Sequence, residues 1–117
     1  MMVLIFIASS IPGDELPEFG RFDFDVKKCG HMMGYALLAV GYLRALAYGR
    51  TIGRRDWVTA ILLTGIYAVT DEFHQSFTPG RTASLMDVLI DTVGAAIGIA
   101  LWLRVAKHQL FGLIARK

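Results

Sequence analysis

Trp57-Val-Thr-Ala-Ile-Leu-Leu-Thr-Gly-Ile-Tyr-Ala-Val-Thr70 contains no charged residue and no polar face at helical spacing. A helix of a soluble bundle needs such a face, so this stretch points to a membrane. Three further apolar stretches flank it. Met32–Tyr48 is interrupted by Arg44, and Leu85–Leu103 by Asp87 and Asp91. Met1–Ile11 carries no charged side chain. A span takes about 20 residues. Met32–Tyr48, Trp57–Thr70 and Leu85–Leu103 reach that length with their polar ends, and Met1–Ile11 does not. It has no basic segment before it and no small-x-small cleavage site after it, so a shortened first transmembrane helix is expected over a signal peptide.

Composition agrees. The 117 residues suffice for one domain, expected over 1–117. Hydrophobic residues make up 55% and charged residues 19%, against about 45–50% and about 25% in soluble domains. That excludes disorder. Cys29 is the single cysteine, so no intrachain disulfide exists. A net charge of +2, without basic runs interleaved with aromatics, argues against a nucleic-acid partner. The expected fold is all-α, a polytopic transmembrane bundle of about four helices with the first one short.

Punctuation sets the helix ends. Pro12-Gly13 stops the first segment, Gly49 follows the second, and Pro79-Gly80 turns the third into the fourth. Ser84 and Asp87 form an S-x-x-D capping box, which starts the fourth helix near Leu85. The basic tail from Arg104 reads as a continuation of that helix.

Loop charge alternates in sign. Pro12–Gly30 sets Asp14, Glu15, Glu18, Asp23 and Asp25 against Arg21, Lys27 and Lys28, net −2. Gly49–Asp56 sets Arg50, Arg54 and Arg55 against Asp56, net +2. Asp71–Ser84 sets Asp71 and Glu72 against Arg81, net −1. The tail carries Arg104, Lys107, Arg116 and Lys117, net +4. Basic loops stay cytoplasmic. Both termini are therefore expected inside the cell membrane and the acidic loops outside. The tail reads first as a positive-inside anchor, whose cations can also pair with anionic lipid.

This topology gathers the unusual polar residues at the outer face. Lys28, His31 and Tyr35 share one helix face at i, i+3 and i+7. Asp71, Glu72, His74 and Gln75 close the third helix, and Arg81 lies in the turn. Asp87 and Asp91 stand four apart on the fourth helix, with Gly94 and Gly98 continuing their face toward another helix. Singly, Lys28 and Arg44 read as snorkelling cations and Asp87 as a cap. Asp91 lies beyond the reach of a cap. An acid at mid-span costs roughly 2.5–3.5 kcal/mol, so a partner is expected among Lys28, His31 and Arg81.

These residues resemble a known family. Tyr67-Ala-Val-Thr-Asp71-Glu72-Phe-His74-Gln75-Ser-Phe-Thr-Pro79-Gly80-Arg81, followed by Ser84, Asp87, Asp91 and Gly94, resembles the D-E-x-x-Q-x-F-x-P-x-R hallmark of the VanZ-like membrane proteins. Lys28-x-x-His31-x-x-x-Tyr35 resembles the family's upstream D-K-x-x-H-x-x-x-Y block. The likeness runs from about Ile5 to Leu103. Lys27 replaces the acid before the block's lysine, and Asp91 stands where the family often has an amide. The resemblance implies a small polytopic envelope protein linked to resistance to the glycopeptide teicoplanin, and it supplies no reaction.

Two functions are expected candidates. In the first, a non-catalytic outer site of Lys28, His31, Tyr35, Asp71, Glu72, Gln75, Arg81, Asp87 and Asp91 holds a membrane-lipid headgroup or a lipid-linked cell-wall precursor. Lys28 and Arg81 contact phosphate, and Tyr35, Phe73 and Phe77 form an apolar flank. The alternative is an integral-membrane metal-dependent hydrolase or transferase with His31, Glu72 and Asp91 as catalytic candidates. There Glu72, Asp87 and Asp91 would suit Mg²⁺, and His31 or His74 would turn the set toward Zn²⁺. No metal motif supports it, and no cofactor is expected. Ion transport fits less well, because the acids cluster at one face.

Overall fold

The computed structural model describes residues 1–12 and 23–114. Four helices follow one another: α1 (Met2–Ser10), α2 (Asp23–Leu46), α3 (Arg54–Gln75) and α4 (Leu85–Ile114). Among the described residues the fold is all-α. The acidic Asp14–Glu18 stretch lies outside them.

Local chemistry sets each boundary. Ile11 is extended (φ −72°, ψ 126°), as the residue before a proline prefers, and it ends α1. Gly49 has φ +73° and Gly80 φ +70°, left-handed values open to glycine without strain. They close α2 and the α3–α4 turn. At the start of α3 the Gly53 N–H donates to Asp56 Oδ2 at 2.7 Å.

The expected capping box at Ser84 forms only in part. Ser84 Oγ accepts from the Met86 N–H at 3.2 Å. The carboxylate that accepts the Ser84 N–H, at 2.6 Å, is Glu72 of α3 rather than Asp87. A tertiary contact thus replaces the local one and leaves Asp87 to face α2. The last helix runs beyond Leu103 to Ile114, as the tail's reading anticipates.

α3 is packed inside out relative to a helix of a soluble bundle. In α3 the buried residues are Asp56, Ala60, Thr64, Ala68, Asp71, Glu72 and Gln75, small or polar and largely four apart. The apolar Leu62, Ile66, Val69 and Phe73 point outward, Ile66 being 63% exposed. Two core clusters fill the interior. One joins Ala39, Leu43, Ala60, Ala95 and Ile99. The other joins Ile5, Tyr35, Leu38 and Ala68. Small residues let helices approach closely, most clearly between α2 and α4. A Cβ added at Gly94 would lie 2.7 Å from the Met32 carbonyl oxygen, and one at Gly98 2.9 Å from Ala36 Cα. The glycine face therefore lies against a helix, as its acids require.

Only α4, over Leu85–Lys107, is long and apolar enough to cross a membrane by length and composition among the described residues. The expected four spans are thus not met by hydropathy alone. Polar side chains occupy the ends of α2 and α3, and α1 at nine residues is about 14 Å long. Arg44 sits with its guanidinium carbon 5.4 Å from the centroid of the Trp102 ring on α4, a cation–π contact.

At the α2–α3 turn Arg50 grips both carboxylate oxygens of Asp56 and donates to the Leu46 carbonyl at 2.8 Å. Bonding to Arg50 and to the Gly53 N–H holds the Asp56 carboxyl below the usual carboxylate range. A lowered folded-state pKa stabilises above the unfolded value and is lost as pH falls through the folded one. Asp56→Asn is expected to lower Tm at pH 7. It should also remove part of the stability lost below about pH 4 in the unsubstituted protein, read by thermal melts across pH.

Candidate functional site

The acids expected at one face separate into two groups. The first is a buried knot around Asp71. Its Oδ2 accepts from the Ser9 hydroxyl at 2.8 Å, the Tyr35 hydroxyl at 2.9 Å and Gln75 Nε2 at 3.1 Å. These bonds join α1, α2 and α3 at one point. Tyr35 is fully buried and Asp71 is 4% exposed. Both are among the residues expected to touch a ligand, and in this structure their hydrogen bonds join helices.

Arg81 also works on α1. Its Nε and Nη2 donate to the carbonyls of Ile11 at 3.3 Å and Ala8 at 3.2 Å. A cation there satisfies orphan carbonyls and meets the negative helix end. Its Nη1 reaches Gln75 Oε1 at 3.5 Å, a weak contact at that length. His74 faces α1 too, stacked on Phe6 with ring centroids 4.4 Å apart and 3.0 Å from Ser10 Oγ. Phe73 and Phe77 pack edge to face on each other, exposed and apart from Tyr35.

The second group lines a pocket of about 340 Å³. Lys28 and His31 of α2 confront Asp87 and Asp91 of α4. Lys28 Nζ lies 2.6 Å from Asp87 Oδ1, an ion pair by distance. His31 Nδ1 lies 3.9 Å from Asp91 Oδ2, too long for a hydrogen bond. The three-residue step on α2 thus meets the four-residue step on α4 in register. Gly94 and Gly98 make that possible by bringing the backbones together one and two turns below. Lys28 and Asp87, each readable alone as a snorkel and a cap, pair with each other. Of the three expected partners His31 lies within 4 Å of Asp91, while Lys28 pairs with Asp87 and Arg81 binds α1.

Glu72, Gln75 and Arg81 close the pocket from the α3 side. Lys27, Gly80, Thr82 and Ile90 also line it, and none of them is among the candidate site residues of the sequence. Only Lys27 carried a signal, its position next to Lys28. Among the described residues no three His, Cys, Asp or Glu side chains are grouped as a metal ion requires. The donor set as placed among the described residues does not fit the Mg²⁺ or Zn²⁺ of the alternative.

A family model described as VanZ/LLP1 matches residues 1–107. The chain belongs to the VanZ/LLP1 family. No curated protein and no solved structure matches it. The match spans the pocket, the Asp71 knot and the glycine face. Family membership and the apolar α4 together support a membrane protein.

Proposed function

We propose that this VanZ/LLP1 member is a multi-pass membrane protein whose pocket at the outer face holds the phosphate of a lipid headgroup or of a lipid-linked cell-wall precursor. The observation that carries the reading is the pocket itself, lined by Lys27, Lys28, His31 and Arg81 and opening at the end of a bundle with an apolar exterior. Charged donors suit phosphate oxygens. Asp87 pairs with Lys28, and Glu72, Asp87 and Asp91 give hydroxyl groups of a sugar or glycerol something to donate to.

Multi-pass insertion is supported by the outward Leu62, Ile66 and Val69 on α3, which lipid would cover, and by the small and polar buried face of the same helix. The alternating loop charge supports cytoplasmic termini. A part in glycopeptide resistance follows if the bound precursor is what the drug meets.

Native mass spectrometry of the full chain, extracted with its lipids, tests this. The expected result is a phosphate-bearing lipid that stays with the protein. Lys28→Gln should reduce its retention about tenfold, the scale of one charged hydrogen bond. Asp91→Asn should weaken retention and Asp91→Leu should abolish it, at matched membrane levels. Equal retention in all variants, or no phosphate-bearing lipid with the unsubstituted protein, rejects the pocket as the site. A teicoplanin-susceptibility assay on the same variants tests the link to resistance.

A further inference from the structure

The opposite end of the bundle carries a second concavity. The turn after α2 and the end of the apolar stretch of α4 enclose a recess of about 940 Å³, with Arg50, Ile52, Leu103, Arg104, Ala106 and Lys107 on its walls. Asp56 neutralises Arg50. Arg104 and Lys107 are exposed, and among the described residues neither has an ion-pair partner. The recess therefore has an apolar floor and an uncompensated positive rim. Its depth is decided by α4. The uncharged stretch Thr92–Leu103 ends at Arg104, and on a membrane-crossing α4 the first cations after it, Arg104 and Lys107, lie at headgroup level with Leu103 deeper.

We propose that this recess binds an anionic phospholipid, its phosphate between Arg104 and Lys107 and the start of its acyl chains against Ile52, Leu103 and Ala106. The occupant is a lipid and not a free anion, because the apolar walls would leave an inorganic ion's inner side uncontacted. The inference rests on α4 as a span and is independent of the outer pocket. It turns a general positive-inside tail into a located site. Arg50 keeps the turn in place by bonding Asp56 and the Leu46 carbonyl.

The two tryptophans supply a local probe. Trp57 and Trp102 both pack on the Ala39–Leu43–Ala60 cluster at this end. Along α4, Asp87 of the outer pocket is about 24 Å from Leu103. The full chain in mixed micelles is titrated with brominated-acyl phosphatidylglycerol or phosphatidylcholine, and tryptophan quenching is read. Phosphatidylglycerol should quench at the lower mole fraction, by about fivefold for each of the two cations. Arg104→Gln with Lys107→Gln should erase the preference, while Arg104→Lys alone keeps it. Arg54→Gln with Arg55→Gln removes equal charge from the same end outside the recess and should keep it. So should Lys28→Gln, which separates this site from the outer one. Equal quenching by the two lipids overturns the proposal. So does a preference that survives the Arg104/Lys107 variant or falls equally in the Arg54/Arg55 variant. Loss of the preference in inorganic phosphate, but not in chloride of the same ionic strength, identifies a free-anion site and also overturns it.

Discussion

Asp71→Leu is expected to be the most damaging single substitution in the bundle, lowering stability by about 2–5 kcal/mol. The side chain accepts three hydrogen bonds from three partners, Ser9, Tyr35 and Gln75. Hydrogen bonds between membrane helices are worth roughly 0.6–1.7 kcal/mol each, and leucine removes all three while leaving the donors buried. Ser9→Ala removes one of them and should cost about 1 kcal/mol. The two substitutions act on one network, so they should not add. In the Asp71→Leu background Ser9→Ala is expected to cost less than it does alone, because only the longer 3.3 Å bond from Gln75 Nε2 to Ser9 Oγ is left to lose. Thermal melts of the single and double variants in detergent make the measurement. Additive losses would mean that Ser9 and Asp71 do not share the bond that ties α1 to the rest.

Gly98→Ala is the second large effect, because one methyl group meets backbone. The added Cβ would stand 2.8 Å from Ala36 Cβ and 2.9 Å from its Cα and carbonyl oxygen. No rotamer change relieves a contact with backbone, so α2 and α4 must separate. Overpacking of this kind costs about 1–3 kcal/mol. Parting these helices also widens the gap between Lys28–His31 and Asp87–Asp91, so ligand retention should fall with stability. Gly41→Ala is the matched control. It lies on α2 with nothing within 4 Å of the added Cβ, and alanine is the better helix former. Its Tm should equal or exceed that of the unsubstituted protein. A Gly98→Ala protein that melts with Gly41→Ala would show that α2 and α4 are not in contact at Ala36.

The sequence by itself determined where α1 and α2 end, where α4 begins and the faces along each helix, but not the start of α2, which reaches back to Asp23 inside the expected Pro12–Gly30 loop. Pro12, Gly49, Pro79-Gly80 and Ser84 act on the backbone within a turn of themselves, so their effect is readable without knowing the fold. The same holds for spacing: Lys28 with His31, Asp87 with Asp91 and Gly94 with Gly98 share faces because a helix repeats every 3.6 residues. The combined motifs were enough to point to the family.

Tertiary structure alone decided how the polar residues divide. Asp91 appeared to need the strongest partner, yet Asp71 is the acid at the centre of a buried network, because Ser9 arrives from 62 residues away. Arg81, placed by its motif among phosphate ligands, meets the carbonyls of α1 70 and 73 residues away. Glu72 takes the capping contact that local spacing assigned to Asp87, which leaves Asp87 for Lys28. Periodicity states which side chains share a face. It does not state which faces meet, because that depends on how α1 docks and how closely the glycines let α2 and α4 approach.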